Sequence, residues 1–341
     1  MQKHFSLFSP DARATFVERP NRFIVHAQLK HGELVRAHCP NPGRMRELLL
    51  PGQSLILEQS QNPHRATQWS LAAVQYKNQW IPLHASRANG LMGDLFLPML
   101  FPTGTHRPEV TRGKARMDWK VEEEGQDHWI EVKACTLVER GVALFPDAPS
   151  LRAVKHLKEL IPLGNHGRII IAIMNPEAMS FSPNPHTDPT FCRTLLEAAE
   201  SGIQIHAVSI RCDEMGWAHI VNPHLPVNLS TAKLAQANQG VVLRFWQKLE
   251  HHHVTVEVFE SSLTKGLARR PKQTGWKLNT SLAICGSVSR LKSLPQELDA
   301  MGYSAKKNPI TNPLQDPLFL DWFLQYRHER VFQGFTNTRP V

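Results

Sequence analysis

The chain contains the stretch Arg116-Met117-Asp118-Trp119-Lys120-Val121, then the polar run Glu122-Glu123-Glu124-Gly125-Gln126-Asp127, and then His128-Trp129-Ile130-Glu131-Val132-Lys133-Ala134-Cys135. The first and last of these segments are rich in β-branched and aromatic residues, so the stretch predicts a β-hairpin closed by a polar turn. Because successive side chains of a strand point to opposite faces, Glu131, Lys133 and Cys135 share one face. That charged face is where we expect chemistry.

Two carboxylates face each other across this hairpin if its turn is centred between Glu124 and Gly125. In that register Asp118 lies opposite Glu131, with Lys133 diagonal to both, and cross-strand Cβ atoms are about 4.5–5.5 Å apart. Carboxylates this close repel each other unless a cation or a proton intervenes. Mg²⁺ fits such a pair, because it takes one or two carboxylates plus water and phosphate oxygens and activates water for attack. The pattern therefore predicts a catalytic site of Asp118, Glu131 and Lys133, in which the two acids bind the metal and the lysine assists the water.

The same triplet of charges also fits a second interpretation. Acidic and basic side chains commonly pair across the exposed face of a sheet and form a solvated salt-bridge patch without any catalytic role. The hairpin alone leaves both interpretations open.

Four separated segments carry a more specific signal. They are His38-Cys39-Pro40-Asn41-Pro42-Gly43-Arg44-Met45, Ala115-Arg116-Met117-Asp118-Trp119, Trp129-Ile130-Glu131-Val132-Lys133-Ala134-Cys135-Thr136-Leu137 and Gly141-Val142-Ala143-Leu144-Phe145-Pro146-Asp147-Ala148-Pro149-Ser150. Through these segments the chain resembles the sugar fermentation stimulation protein A (SfsA) family, whose members resemble PD-(D/E)xK nucleases joined to an N-terminal OB-like barrel.

This resemblance implies an α/β protein in three parts. An OB-like β-barrel would occupy residues 1–83 and a restriction-endonuclease-like α/β domain residues 84–230, while residues 231–341 form an extension that the resemblance does not cover. It also implies Mg²⁺ or Mn²⁺ as the cofactor and DNA as the partner. Family members normally carry Glu in the helix predicted at residues 91–100, where this chain has Asp94. Asp94 is therefore a candidate metal ligand or support for one, with a solvent-exposed helical acid as the alternative.

Composition sets the outer limits of the function. The chain of 341 residues has 39 Lys and Arg against 30 Asp and Glu, a net charge of +9. This excess favours an acidic partner such as nucleic acid, although many basic proteins bind none. The five cysteines form no C-x-x-C pair, and no apolar run approaches the ~20 residues needed to span a bilayer. We therefore expect a cytoplasmic protein with reduced thiols and no membrane partner.

The segment before residue 84 is predicted to form a small barrel. Five short strands separated by polar turns are expected at residues 22–29, 34–38, 54–58, 69–76 and 80–83. The candidate nucleic-acid contacts on the barrel are Arg22, Arg36, Arg44 and Arg46, with Arg65 and Trp69 as further members of a basic and aromatic surface. Arg44 and Arg46 lie at the predicted start of a short helix that could hold a phosphate, or they are solvated residues of a connector. Core packing is the better interpretation of Trp69.

The segment after the hairpin is predicted to continue an α/β core. Ser150 is the expected N-cap of a helix whose buried stripe contains Leu151, Val154, Leu157 or Lys158, and Ile161. Arg152 and Lys155, with His156, lie outside that stripe, where they either grip a phosphate backbone or form a solvated face. Asp147 either caps the turn or faces the metal, and we favour the first, a structural role that shapes the pocket.

Two further predicted strands, at residues 168–174 and 203–208, flank a helix at 188–199. In the extension, we expect a strand at 281–285 and a helix at 294–301, with no recognisable chemistry.

Two functions fit these observations. The first is a DNA-interacting, Mg²⁺-dependent phosphodiesterase. The second is a non-catalytic, nonspecific DNA-binding regulator of sugar (maltose) metabolism, as the family name implies. Only the first requires Asp118, Glu131 and Lys133 to converge.

Overall fold

The computed structural model describes residues 3–229, apart from residues 44, 46, 47, 51, 114, 140, 185 and 186. It also describes residue 232 and the backbone of four strands between residues 241 and 311. The chain divides into one compact unit of Met1–Phe181 with Glu197–Val227, and a second of Ser182–Leu196 with Asn228–Val341. In the described part of the chain, no helix is both long and apolar enough to cross a membrane.

A closed barrel forms the beginning of the first unit, after the short strand β1 (Phe5–Ser6). Its strands are β2 (Ala12–Asn21), β3 (Ile24–Leu29), β4 (Leu34–His38), β5 (Ser54–Gln59) and β6 (Trp69–Tyr76). They follow the order β4-β3-β2-β5-β6, and a parallel pairing of β4 with β6 closes the ring. The interior is filled by apolar side chains such as Val25, Ala27 and Leu55, all fully buried. The predicted OB-like barrel is confirmed.

The five strands of the barrel are not the five that were predicted, because β2 is added at the start of the segment and the last predicted strand lies outside the ring. Strand β2 was not predicted, although its alternation of buried Ala14 and Phe16 with exposed neighbours is typical of a half-buried strand. The predicted strand at residues 80–83 corresponds to β7 (Gln79–Pro82), which is not one of the five strands of the ring. It pairs with β6 on one side and, through Trp80 and Cys212, with a strand of the following α/β sheet on the other.

A broken helix leads from the barrel into the α/β part. It consists of α1 (Arg87–Leu91), a π-helical turn (Met92–Phe96) and α2 (Leu97–Leu100). Pro98 lies in the first turn of α2, where its missing N–H breaks no helical hydrogen bond. The backbone at Gly93 approaches the Trp119 indole so closely that an added Cβ would lie 2.0 Å from Trp119 Cζ2. A side chain at residue 93 would therefore collide with this tryptophan.

The α/β part is built on a mixed sheet. Its remaining elements are β8 (Thr105–Arg112), β9 (Ala115–Glu123), β10 (Gln126–Cys135), β11 (Val138–Glu139), β12 (Val142–Phe145), α3 (Leu151–Leu160), a 3-10 turn (Ile161–His166), β13 (Gly167–Ile173), β14 (Ser180–Pro183), α4 (Pro189–Glu200), β15 (Gln204–Cys212) and β16 (Trp217–Asn222). The sheet order is β7-β15-β13-β10-β9-β8, with β10, β13 and β15 parallel. An OB barrel followed by an α/β domain is the predicted fold class, which is confirmed.

Helix α3 begins as predicted and buries Val154 and Leu157 of the predicted stripe, but not Leu151. The Ser150 hydroxyl accepts a hydrogen bond from Ala153 N at 3.2 Å and caps the helix. Leu151 is 86% exposed, so its predicted place in the buried stripe is wrong. The buried positions are Ala153, Val154, Leu157 and Leu160. Leu151 is the first residue of the helix, before the turn that packs on β9 and β13.

The second unit contains a four-stranded antiparallel sheet. Its strands are β17 (Val241–Glu250), β18 (His253–Ser262), β19 (Leu278–Gly286) and β20 (Lys306–Thr311), in the order β19-β17-β18-β20. The strand predicted at residues 281–285 lies within β19. The helix predicted at residues 294–301 lies outside the described residues.

Candidate metal and catalytic site

The β9–β10 hairpin has the predicted register. Glu124 and Gly125 form its two-residue turn, both with positive φ, and the pairing runs from Gln126↔Glu123 to Ile130↔Trp119. The antiparallel ladder stops there, one pair short of Glu131 and Asp118. From Trp129 onward β10 pairs in parallel with β13. The two acids therefore lie at the point where β9 and β10 diverge.

Asp118 is held by β10 and by α1. Its Oδ2 accepts a hydrogen bond from Val132 N at 2.8 Å, and its Oδ1 accepts one from Asn89 Nδ2 at 3.3 Å. Burial and the nearby charge of Glu131 raise the pKa of Asp118 to about 6, against the opposing effects of the Val132 N–H and Lys133. Near neutral pH this carboxylate is ionised but poorly stabilised by its surroundings.

Glu131 is only 1% exposed and its two oxygens have different surroundings. Lys133 Nζ and His156 Nδ1 both contact Oε1, whereas Oε2 is buried without a hydrogen-bond partner among the described residues. Burial alone would raise the pKa of Glu131, but the hydrogen bonds and charges of His156 and Lys133 outweigh it and lower the pKa overall. Glu131 is therefore a buried carboxylate that stays ionised and keeps one oxygen unused.

Sequence reasoning did not predict the contact of His156 with Glu131. His156 lies on the half-buried side of α3, and its Nε2 accepts a hydrogen bond from Arg152 Nε at 3.4 Å. With Nε2 as an acceptor, Nδ1 carries the proton that is donated to Glu131. The sequence placed Arg152, Lys155 and His156 outside the buried stripe of the helix. Which of the three contacts Glu131 depends on how α3 packs, and the structure shows that it is His156.

The donor set fits a hard divalent cation. The carboxylates of Asp118 and Glu131 are accompanied by a buried carbonyl oxygen, Asn89 Oδ1, which also lacks a hydrogen-bond partner in the described part of the chain. Carboxylate and amide oxygens are preferred ligands of Mg²⁺ and Ca²⁺. No group of three or more His, Cys, Asp or Glu side chains among the described residues could hold a metal ion. A cation here would therefore take further ligands from water or from a phosphate.

Asp94 is located elsewhere. It is exposed, lies in the π-helical turn and lines a cavity that also includes Lys3, His106 and Trp119. Among the described residues, no hydrogen bond or ion pair joins Asp94 to Asp118 or Glu131. The helical residue that contacts Asp118 is Asn89.

The predicted nucleic-acid contacts occupy several surfaces. Arg22, Arg36, Arg152 and Lys155 are exposed, and the guanidinium of Arg22 stacks on Phe23 at 4.9 Å from the ring centroid. Arg44 and Arg46 lie outside the described residues. Trp69 packs against the hydrophobic core, in agreement with the preferred interpretation of this residue.

A basic and aromatic cluster that was not predicted lies beside the acidic pair. Trp129 is two residues before Glu131 on the same face of β10, and cross-strand pairing places it beside Lys120. Lys120 Nζ and the Arg112 guanidinium lie 5.5 and 5.7 Å from the Trp129 ring centroid. This contact depends on the hairpin formed by β8 and β9, and β8 was not predicted.

Asp147 connects the α/β part to a barrel loop. Its Oδ2 accepts a hydrogen bond from Met45 N at 3.1 Å, and an added Cβ at Gly43 would lie 2.4 Å from the same oxygen. Arg19 Nη1 donates to Gly43 O at 2.7 Å and holds the loop from the barrel side. The contacts agree with the structural role expected for Asp147.

Comparison with protein families gives two adjacent matches. The model of the SfsA N-terminal OB domain matches residues 17–83, and the model of the sugar fermentation stimulation protein RE domain matches residues 88–216. A sugar fermentation stimulation protein homolog of Desulforamulus reducens is 37% identical over 223 residues, which are 63% of this chain and 92% of the relative. The corresponding homolog of Methanothermobacter thermautotrophicus is 33% identical over 208 residues, 59% of this chain and 86% of the relative.

One solved structure has the same fold over these regions. It is the structure of Pyrococcus furiosus SfsA in complex with Ca²⁺, with a TM-score of 0.58 and 25% identity. The match covers 66% of this chain and 99% of that one.

Proposed function

The chain belongs to the sugar fermentation stimulation protein family, and from that premise we propose that it is a cytoplasmic DNA-binding protein with a divalent-metal-dependent phosphodiesterase site. The site is the one formed by Asp118, Glu131 and Lys133. Asp94 has at most an indirect part in it, because Asn89 takes the position against Asp118.

One observation carries the proposal: a buried, ionised Glu131 with an unused oxygen lies beside Asp118, whose pKa is raised by burial and by the charge of Glu131. Burying such groups costs several kcal/mol unless a cation or hydrogen bonds compensate. The Ca²⁺ in the Pyrococcus furiosus relative supports a divalent cation as the missing partner. For catalysis we propose Mg²⁺ or Mn²⁺.

The residues around the acidic pair have separate roles in this proposal. Asp118 and Glu131 bind the metal, and the Asn89 amide holds Asp118 through its Nδ2. When bound, the cation supplies neutralisation of phosphate charge and activation of water. Lys133, anchored on Glu131 Oε1, orients the attacking water or stabilises the charge that develops on the phosphate. His156, on α3, holds the Glu131 carboxylate in its orientation.

Nucleic acid suits the surface next to this site. Trp129 presents an aromatic ring to a base and Arg112 presents its charge to the phosphates, whereas Lys120 is paired with Asp127 at 2.7 Å and supports the ring. Arg152 and Lys155 extend the positive charge along α3, and the barrel arginines Arg22, Arg36, Arg44 and Arg46 supply the remaining contacts in this proposal.

The test is cleavage of labelled single- and double-stranded DNA and RNA by the purified protein with Mg²⁺, Mn²⁺ or EDTA. We expect metal-dependent cleavage that falls by at least about a hundredfold in Asp118→Asn and Lys133→Ala. The matched control is Lys77→Ala, which removes a lysine that is 63% exposed and paired with Glu177. Binding without cleavage, equal in all variants, would reject the phosphodiesterase.

A non-catalytic DNA-binding regulator of sugar metabolism is the second candidate. The observation that favours it is the neutral Asn89 amide at the position where a helical acid would complete a three-carboxylate site. In that case the acidic pair is a remnant, and Asp118→Asn leaves DNA affinity unchanged while Trp129→Ala lowers it.

A further inference from the structure

A polar cavity of about 560 Å³ lies between the barrel and the start of α1. Its lining side chains include His38, Glu58, Arg65, Ser70, His84 and Arg87. It shares no lining residue with the site of Asp118 and Glu131. Its volume is within the range of about 300–1,000 Å³ that is typical of small-molecule sites.

The more enclosed carboxylate of this cavity, Glu58, is already compensated. Arg87 binds Glu58 through two hydrogen bonds, from Nη1 to Oε1 at 3.1 Å and from Nη2 to Oε2 at 2.7 Å. Ser9 N also donates to Glu58 Oε1, at 3.2 Å. Glu58 therefore has little capacity left to attract a cationic ligand. Asp11 is exposed and accepts a hydrogen bond from Gln59 N at 2.7 Å.

Arg65 is the lining cation that is not neutralised. Its Nη1 donates to Ser70 Oγ at 2.8 Å, and no carboxylate pairs with it among the described residues. Its charge is felt by the imidazoles around it, because Arg65 contributes to lowering the pKa values of both His38 and His84. This part of the cavity has a positive potential.

His84 brings an unused polar atom into the same space. Its side chain is 12% exposed, and Nε2 lies 3.5 Å from Glu58 Oε2 without the geometry of a hydrogen bond. Burial, followed by the charge of Arg87, lowers the pKa of His84 to about 4, so the ring is neutral near pH 7. In the tautomer that carries its proton on Nε2, the neutral ring has one hydrogen bond to donate, and no acceptor among the described residues takes it.

We propose that this cavity binds a phosphate group, with Arg65 and His84 as its ligand-binding side chains and Ser70 as a further donor. Guanidinium groups match the oxygens of phosphate, and the residual volume admits the remainder of a nucleotide-sized molecule. The phosphate belongs either to a free small molecule or to the end of a nucleic-acid strand. The site acts independently of the phosphodiesterase proposed above.

The experiment is calorimetric titration of the full chain with inorganic phosphate, a nucleoside monophosphate, and oligonucleotides with or without a 5′-phosphate. We expect saturable binding that weakens about tenfold in Arg65→Ala and at least about threefold in His84→Gln. Arg211→Ala, at an exposed arginine of β15, is the matched control and binds as the unaltered protein does. Asp118→Asn also retains binding, which separates this site from the cleavage site.

Comparing the affinities of these ligands identifies the source of the phosphate. A preference for 5′-phosphorylated over 5′-hydroxyl oligonucleotides that disappears in Arg65→Ala identifies a strand end. If the nucleoside monophosphate binds as tightly as the 5′-phosphorylated oligonucleotide, the phosphate belongs to a free small molecule. The absence of saturable binding, or equal affinity in the unaltered protein and in a folded Arg65→Ala variant, overturns the proposal. Thermal unfolding of each variant verifies that it is folded.

Discussion

At the residue scale, the half-buried Asp118 and the buried Glu131 are two carboxylates with opposite electrostatic support. Lys133 and His156 stabilise the charge of Glu131, whereas Asp118 receives only one backbone N–H and one amide. The pKa of Asp118 is raised and that of Glu131 is lowered. Proton uptake on acidification therefore occurs first at Asp118.

Replacing Asp118 with Asn should stabilise the metal-free protein at neutral pH. The pKa of Asp118 rises from 3.8 to about 6 on folding, so its charge penalises the folded state above about pH 6 and the penalty disappears below about pH 4. Asp118→Asn is expected to raise the free energy of unfolding by about 2 kcal/mol at pH 8 in EDTA, with a gain that vanishes near pH 4. Thermal unfolding at several pH values measures this difference. A gain that is the same at pH 4 and pH 8 would contradict it.

Removing His156 should impair the site through Glu131. His156→Ala deletes a hydrogen bond to a buried charge, which is expected to cost about 1–3 kcal/mol of stability and about tenfold or more in cleavage. His156→Gln keeps a donor and should recover part of both losses. Lys158→Ala, an exposed lysine on the same helix, is the control and should change neither quantity. Unfolding and cleavage are measured on all three variants.

The register that relates Asp118, Glu131 and Lys133 was predicted correctly because it is local. It depends on the alternation of a strand and on a two-residue turn, both of which can be read from adjacent residues. Asn89 and His156 reach the same site from 29 and 25 residues away. Their contacts depend on how α1 and α3 pack on the sheet, which no local pattern specifies.

At the element scale, the broken helix is held against β9 by one tryptophan. Trp119 Nε1 donates to Asn89 O at 3.2 Å, while the indole covers Gly93. The same turn of α1 presents the Asn89 side chain to Asp118. The position of Asn89 therefore depends on the packing of Trp119.

Substituting Gly93 tests that dependence. Gly93→Ala places a methyl group within 2.0 Å of Trp119 Cζ2, so the helix or the indole must move, at an expected cost of about 1–3 kcal/mol. Gly90→Ala, whose Cβ would meet Phe5 at 3.3 Å, is the matched control in the same helical segment and should cost less. The free energies of unfolding of the two variants in urea compare them. Equal values would show that Trp119 adapts without strain.

The elements themselves were predicted unevenly. Strands β3 to β6 and β10, and helix α3, follow from clear periodicity and turn or cap residues. Strand β8 was missed because Arg107, Pro108 and Glu109 interrupt its apolar alternation, and β2 was missed although only its second half, with Glu18 and Pro20, departs from that alternation. β16 was missed although it contains no charged residue and no proline. β7 was predicted as a strand. Its pairing with both β6 and β15 depends on tertiary structure, which its four residues do not specify.

At the scale of the whole molecule, the net charge of +9 is compatible with nucleic-acid binding but does not locate it. In the function proposed above, nucleic acid binds at the cluster of Trp129, Lys120 and Arg112 beside the acidic pair. Because base stacking on an aromatic ring needs an unpaired base, this location favours single-stranded substrates.

Trp129→Ala should therefore weaken binding of single-stranded DNA by about 1–3 kcal/mol and affect duplex binding less. Trp217→Ala, which removes another partly exposed tryptophan from β16, is the control and should have no effect. Fluorescence anisotropy with labelled single and double strands measures both affinities. An equal loss for single and double strands would assign Trp129 a structural role instead.

The pairing of β7 with both β6 and β15 has a consequence for any attempt to divide the protein at residue 83. A barrel fragment would keep β7 without its partner β15, and an α/β fragment would keep β15 without β7. Each fragment would therefore expose an unpaired strand edge. Unpaired strand edges form hydrogen bonds with strands of other molecules, which leads to aggregation. The fragments are expected to aggregate, whereas the barrel and the α/β sheet of the intact chain should melt together in a single calorimetric transition.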